Sequence, residues 1–189
     1  MPSRCAPGVY LTHGHRLTVS VTSVSVPDNA IDQLKRSVAA GVDRLAPLLL
    51  EVSHELHAHP ELNYEEIFAH GLLTGILEQQ GLSPTRHAFG VETAFRADVG
   101  TSGPRIAVLL EYDALPEIGH ACGHNVIAAA GLGAGLVLAH LADELGGSVA
   151  IMGTPAEEGG GGKIRMARNG AFDNLDAAMM IHPADADLI

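Results

Sequence analysis

An α/β layered domain, with a central mixed, mostly parallel sheet flanked by helices, is predicted by two observations. Short apolar runs at 91–99, 105–110, 149–152 and 177–181 have the length and punctuation of strands, and segments with helical periodicity lie between or before them. In sheets of this kind ligands collect beyond the carboxyl ends of strands. Here the polar groups do follow strands: Glu111 and Asp113 after 105–110, Glu157 and Glu158 after 149–152, and His182 after 177–181.

Residues 1–27 differ in texture from the rest. They read as a poorly ordered leader, with an added edge strand over the alternating stretch 17–26 as the rival. Asp28 or Asn29 can cap a helix whose apolar positions run from Ile31 to Leu49, with Pro47 as a point of kinking or division. The His59-Pro60-Glu61-Leu62-Asn63 segment breaks the helix. A second helix starts near Tyr64 and reaches Gln80, with Gly81 beyond its end. Gly100 to Pro104 is the turn between the first two strands. Gly123 to Leu145, rich in Ala, Gly and Leu, predicts a buried helix able to pack closely, and Ile164 to Asn169 predicts a short one stopped by Gly170.

Lys and Arg total 11 against 22 Asp and Glu, for a formal charge of -11 with histidines neutral. That balance disfavours nucleic acid, whose recognition leans on clustered basic residues. The two cysteines, Cys5 and Cys122, lie far apart in unlike contexts, so no disulfide is expected and the default setting is reducing and cytoplasmic. The N-terminus lacks the compact apolar stretch of a secretory signal. The longest apolar candidate, 125–141, is interrupted by His140 and is not expected to span a bilayer.

Chemistry concentrates in three stretches. Glu111-Tyr112-Asp113 ends a strand with two carboxylates one residue apart, which can face the same side of the chain. Cys122-Gly123-His124 places a soft and a borderline ligand in a turn before a helix, where the helix N-terminus would lower the thiol pKa. Thr154-Pro155-Ala156-Glu157-Glu158 precedes four glycines, and there one carboxylate can hold a metal while its neighbour takes a proton from water. Lys163 follows the glycines, but the phosphate-loop pattern fails at Glu157 and at Ile164. His54 and His57 lack the zinc-protease helix spacing and read as structural, with His59 ordering a loop near the site. A cysteine hydrolase using Cys122 with His124 is a poor alternative. Residues two apart across a turn seldom align as nucleophile and base, and Glu157 and Glu158 would be left without a role.

The segments His57-Ala58-His59-Pro60-Glu61-Leu62 with Glu65-Glu66, Asp113-Ala114-Leu115-Pro116, Cys122-Gly123-His124, Thr154-Pro155-Ala156-Glu157-Glu158 and Met180-Ile181-His182-Pro183 together resemble the M20 family of metallopeptidases and amidohydrolases. Asn125 and Glu111-Tyr112-Asp113 make the chain similar to the dipeptidase and aminobenzoyl-glutamate hydrolase subgroup. The resemblance implies metal-ligand roles for Cys122, His124, Glu158 and His182, a general-base role for Glu157, and support of the site from behind by Asp113. Glu111 is left out of the ligand set. Two divalent ions, zinc or manganese, are implied, with small dipeptides or N-acyl or aminobenzoyl amino acids as substrates. The family's lid and dimerisation domain and a further histidine ligand lie beyond the pattern seen here. Residues 28–189 are thus expected to form the N-terminal part of a catalytic domain, homodimeric in full-length relatives, with an inactive or partly folded fragment as the alternative.

Overall fold

The computed structural model describes residues 28–184. The expected leader, with its alternating stretch and Cys5, lies outside the described residues. The first helix, α1 (Asp28–Ala58), runs through Pro47 without dividing. Pro47 is exposed, so its ring meets solvent and the helix loses a hydrogen bond rather than its continuity. The second helix, α2 (Ile67–Gln79), starts three residues later than the periodicity suggests. The delay has a local cause: Tyr64 adopts a left-handed φ of 65°, and Glu61 accepts from the N–H groups of Phe68 and Ala69, occupying the first-turn donors of α2.

Five strands follow in one sheet: β1 (Thr85–Arg86), β2 (Phe95–Val99), β3 (Arg105–Leu110), β4 (Ser148–Gly153) and β5 (Ala177–Met179). Their spatial order is β1-β2-β4-β3-β5. The pairs β1/β2 and β2/β4 are antiparallel, and β4/β3 and β3/β5 are parallel, so the sheet is mixed, with its parallel part on the side of β5. Of the run expected as one strand over 91–99, residues 91–94 form a loop after a 3-10 turn at Ala88–Gly90, and Phe95–Val99 form β2.

Both faces of the central strands are covered. Val108 and Leu110 of β3 with Val149 and Ile151 of β4 point toward the three long helices, while Ala107, Leu109, Ala150 and Met152 point toward α4 (Gly162–Arg168) and the loop carrying Val91. The alternation is the period of two that a strand imposes. Between β3 and β4 runs α3 (His124–Leu145), which is apolar enough by length and composition alone to cross a membrane. It packs instead as the central core helix. Its backbone approaches the sheet so closely that a Cβ at Gly131 would lie 2.8 Å from the Leu109 carbonyl, and one at Gly135 2.7 Å from Ile151. At the other extreme, every residue of β5 is exposed.

Candidate metal centre

At the carboxyl end of β3 the chain stays buried for four more residues, Glu111 to Ala114. Tyr112 anchors this stretch: its ring stacks on Phe95 at 6.1 Å and its hydroxyl donates to the Thr93 carbonyl at 2.6 Å. The alternation then sends Glu111 and Asp113 to the opposite side, where the N-terminus of α3 brings His124.

Asp113 organises what lies around it. One carboxylate oxygen is 3.1 Å from His124 Nδ1, the other accepts from the Glu158 N–H at 2.8 Å, and the Asp113 carbonyl is 2.9 Å from the same Nδ1. Burial acts to raise the Asp113 pKa, but the bonds from His124 and from the N–H groups of Glu158 and Glu157 outweigh it and hold the carboxyl below its usual value. Because Nδ1 faces only acceptors, it carries the proton, and Nε2 is the atom turned into the cluster. Burial disfavours charge on His124, yet the Asp113 hydrogen bond and the charges of Asp113 and Glu111 prevail and raise its pKa.

Around His124 Nε2 stand Glu111 Oε2 at 3.5 Å, Glu158 Oε1 at 3.7 Å and Glu157 Oε2 at 3.9 Å. His124 Nε2 and Glu111 Oε2 are both buried and have no hydrogen-bond partner. Two sets of ligand atoms converge within 4.8 Å: Glu111, His124 and His182, and His124, Glu157 and Glu158. Two ligands on a tetrahedral ion with bonds of roughly 2.0–2.1 Å sit roughly 3.3–3.4 Å apart, so these separations fit a site for divalent cations. His124 belongs to both sets. His182 meets it edge-on, ring centroids 6.0 Å apart, and is exposed, with Nδ1 donating to the Pro183 carbonyl.

Cys122 enters neither tight set, but its thiol donates to Glu158. That bond, then burial and the charges of Glu158, Glu157 and Asp113, push its pKa up to about 11. The expected lowering by the helix N-terminus is overturned, because carboxylates next to the sulfur outweigh the helix dipole.

The turn bearing Glu157 and Glu158 is fastened from behind by the segment between α1 and α2. Asn63 donates to the Glu158 carbonyl, the Tyr64 hydroxyl to the Gly160 carbonyl, and Glu66 accepts from the Ala156 N–H at 2.8 Å and from Thr93 at 2.7 Å. These bonds hold Ala156 in a left-handed conformation, φ 57°. The glycine run has a steric reason: a Cβ at Gly162 would sit 1.8 Å from the Pro155 carbonyl oxygen. Lys163, the next residue, pairs with Glu111. Asn63, Glu66 and Lys163 have no task that the sequence alone assigns. Their only signal is polarity beside turn residues, since each contact joins residues at least 27 positions apart. His59 bonds back to the Glu55 carbonyl and packs at a tilt against Phe68, 4.3 Å between ring centroids, just before the loop through Pro60.

The sequence pattern of peptidase family M20/M25/M40 matches residues 108–188. The chain is 43% identical to the Xaa-Arg dipeptidase of Mus musculus over 168 residues, 82% of this chain and 39% of that protein. It is 36% identical to one of the subunits of the p-aminobenzoyl-glutamate hydrolase of Escherichia coli, over 70% of this chain and 32% of that one. Among solved structures, a Bacillus subtilis protein described as a dinuclear metal binding peptidase from the M20 family superposes with a TM-score of 0.63 at 26% identity, covering 74% of this chain and 42% of that one. The chain therefore spans about two fifths of the length of such relatives, and it is similar to the N-terminal portion of M20-family peptidases, whose sequence pattern its residues 108–188 carry.

Proposed function

We propose that the protein is a metal-dependent hydrolase that cleaves the amide bond of small dipeptides or N-acyl or aminobenzoyl amino acids. Cys122, His124, Glu158 and His182 are the metal ligands and Glu157 the general base. The observation that carries this reading is the buried, unpartnered Nε2 of His124, locked in direction by Asp113 and faced by three carboxylates. A histidine whose other nitrogen is held by a carboxylate is the arrangement metal sites use to fix ligand orientation. Two divalent ions, zinc or manganese given the mixed sulfur, nitrogen and oxygen donors, would polarise water and the scissile carbonyl.

The residues of this chain divide the remaining work. Asp113 aims His124 and, through the Glu158 N–H, also fixes the turn that carries both glutamates. Glu158 is partly buried against Cys122, whereas the Glu157 side chain is 41% exposed on the open side, where substrate and water arrive. Glu157 accepts the proton of the attacking water and passes it to the leaving amine. A thiol among the ligands suits a reducing, cytoplasmic setting, and the net charge of -11 suits small substrates over polyanions. The names of the relatives, a dipeptidase and an aminobenzoyl-glutamate hydrolase, support the substrate class.

The test is Glu157→Gln assayed for metal content by elemental analysis and for hydrolysis of a panel of dipeptides and N-acyl amino acids. Metal content stays near that of the parent protein and turnover falls by roughly 10²–10⁴. Retained turnover rules out the base assignment. One observation favours a second reading, a chain that binds metal without turnover: His182 follows the exposed strand β5, beside an Ile181 that is 70% exposed, so this ligand is loosely held. A parent protein carrying metal yet hydrolysing nothing in the panel decides for it.

A further inference from the structure

We infer that Glu111 is an additional metal ligand of this centre, with its carboxylate shared between the ion and the ammonium of Lys163. The inference rests on the metal-centre reading above. It goes beyond it by adding a ligand that the sequence reading excluded and by giving the glycine run before Lys163 a purpose.

Two buried glutamates in this structure have opposite surroundings. Glu66 is fully enclosed and both its oxygens are bonded, one to Ala156 N–H and one to Thr93. Glu111 is 1% exposed, and only Oε1 is engaged, by Lys163. Its Oε2 has no partner and points at His124 Nε2, which has none either. A buried oxygen without a partner is costly and calls for a reason. A cation lying between the two atoms satisfies both at once, and their 3.5 Å separation is close to the edge of a tetrahedral coordination sphere. With His182 within the same 4.8 Å set, the ion receives three protein ligands, Glu111, His124 and His182.

Lys163 is what prepares the carboxylate. The close approach of Gly162 to the Pro155 carbonyl presses the start of α4 against the turn after β4, and Lys163 leaves from there toward Glu111. With Oε1 on the ammonium, the carboxylate plane is set and Oε2 is presented to the ion. The ammonium also offsets part of the negative charge of Glu111, Asp113, Glu157 and Glu158 gathered at this end of the sheet.

The probe is Co²⁺, read by its visible absorption and by isothermal titration. Parent protein binds Co²⁺. In Glu111→Gln the affinity falls at least about tenfold and the absorption bands change in intensity, because a ligand has left the coordination sphere. Glu111→Asp keeps the negative charge but withdraws the oxygen by one methylene, so its bands change too; this separates ligation from long-range attraction and carries the test if the Gln variant does not fold. Lys163→Met keeps bands of the parent type, since the ligand remains, but binds Co²⁺ more weakly, since the carboxylate is no longer held in place. If Glu111→Gln and Glu111→Asp both leave bands and affinity as in the parent, Glu111 is only the counter-ion of Lys163 and the inference is overturned while the metal centre stands. A folded parent protein that takes up no Co²⁺ overturns both.

Discussion

Two histidines in this protein share a geometry and differ in their neighbours. His70 in α2 and His124 in α3 are both buried, at 6% and 1% exposure, and each has an Nε2 without a hydrogen-bond partner. Each also lies beside a second imidazole, His87 at 5.1 Å and His182 at 6.0 Å between ring centroids. Around His70 the neighbouring charges are mainly cationic: burial first, then His87 and Arg86, lower its pKa, with Glu92 only partly opposing. Around His124 the carboxylates of Asp113 and Glu111 overcome burial and raise it. A buried histidine beside a second imidazole is therefore not what makes a cation site. The surplus of carboxylates converging on one of them does, because a cation has to be attracted as well as coordinated.

The largest expected effect breaks that comparison directly. His124→Ala lowers divalent-ion affinity by more than about 100-fold, since it removes the atom common to both ligand sets, whereas His70→Ala leaves affinity unchanged and costs only about 1–3 kcal/mol of stability in urea unfolding. Equal losses of metal from both variants would show that global destabilisation, not ligation, had been measured. Next in size is Asp113→Asn, which keeps the shape but weakens the hold on Nδ1; affinity drops roughly 10–100-fold with little change in unfolding midpoint. An unchanged affinity would mean that the orientation of His124 is set by the Asp113 carbonyl alone.

The smallest effect concerns pH. The folded-state pKa of His70 lies below the ordinary value of 6.5, so between the two values the unfolded chain binds more protons than the folded one. The stability contributed by neutral His70 is complete above pH 6.5 and is lost as pH falls through that value toward the folded pKa. The measurable outcome is a decline in the thermal midpoint below pH 6.5 that His70→Asn flattens. A profile with the same slope in both proteins assigns the decline to other groups.

Much of the layered fold was legible because its signals are local. The apolar run at 105–110, the Gly/Ala-rich stretch at 123–145 and the glycines at 146–147 correspond to β3, α3 and its end, since periodicity and turn chemistry act over a few residues. The boundaries near Tyr64 and Phe95 were misjudged for the opposite reason. Glu61 reaches seven and eight residues ahead to seat the first turn of α2, and β2 begins only where β4 offers a partner, Phe95 opposite Gly153. Of the site, Cys122, His124, Glu157, Glu158 and His182 were named from motif order, while Glu111 was set aside and Lys163 noticed only as a failed phosphate loop.

By itself the sequence determined which residues carry chemistry and where strands end, because residue type and local spacing are written along the chain. Only the tertiary structure decided what each of those groups faces. It gave Cys122 a carboxylate neighbour that reverses the effect of its helix, left one oxygen of Glu111 beside an equally unpartnered His124, and bonded both oxygens of Glu66. The reason is that pKa and coordination depend on distances of a few ångströms between atoms that are remote in sequence, and those distances exist only once β3, α3 and the turn after β4 have packed together.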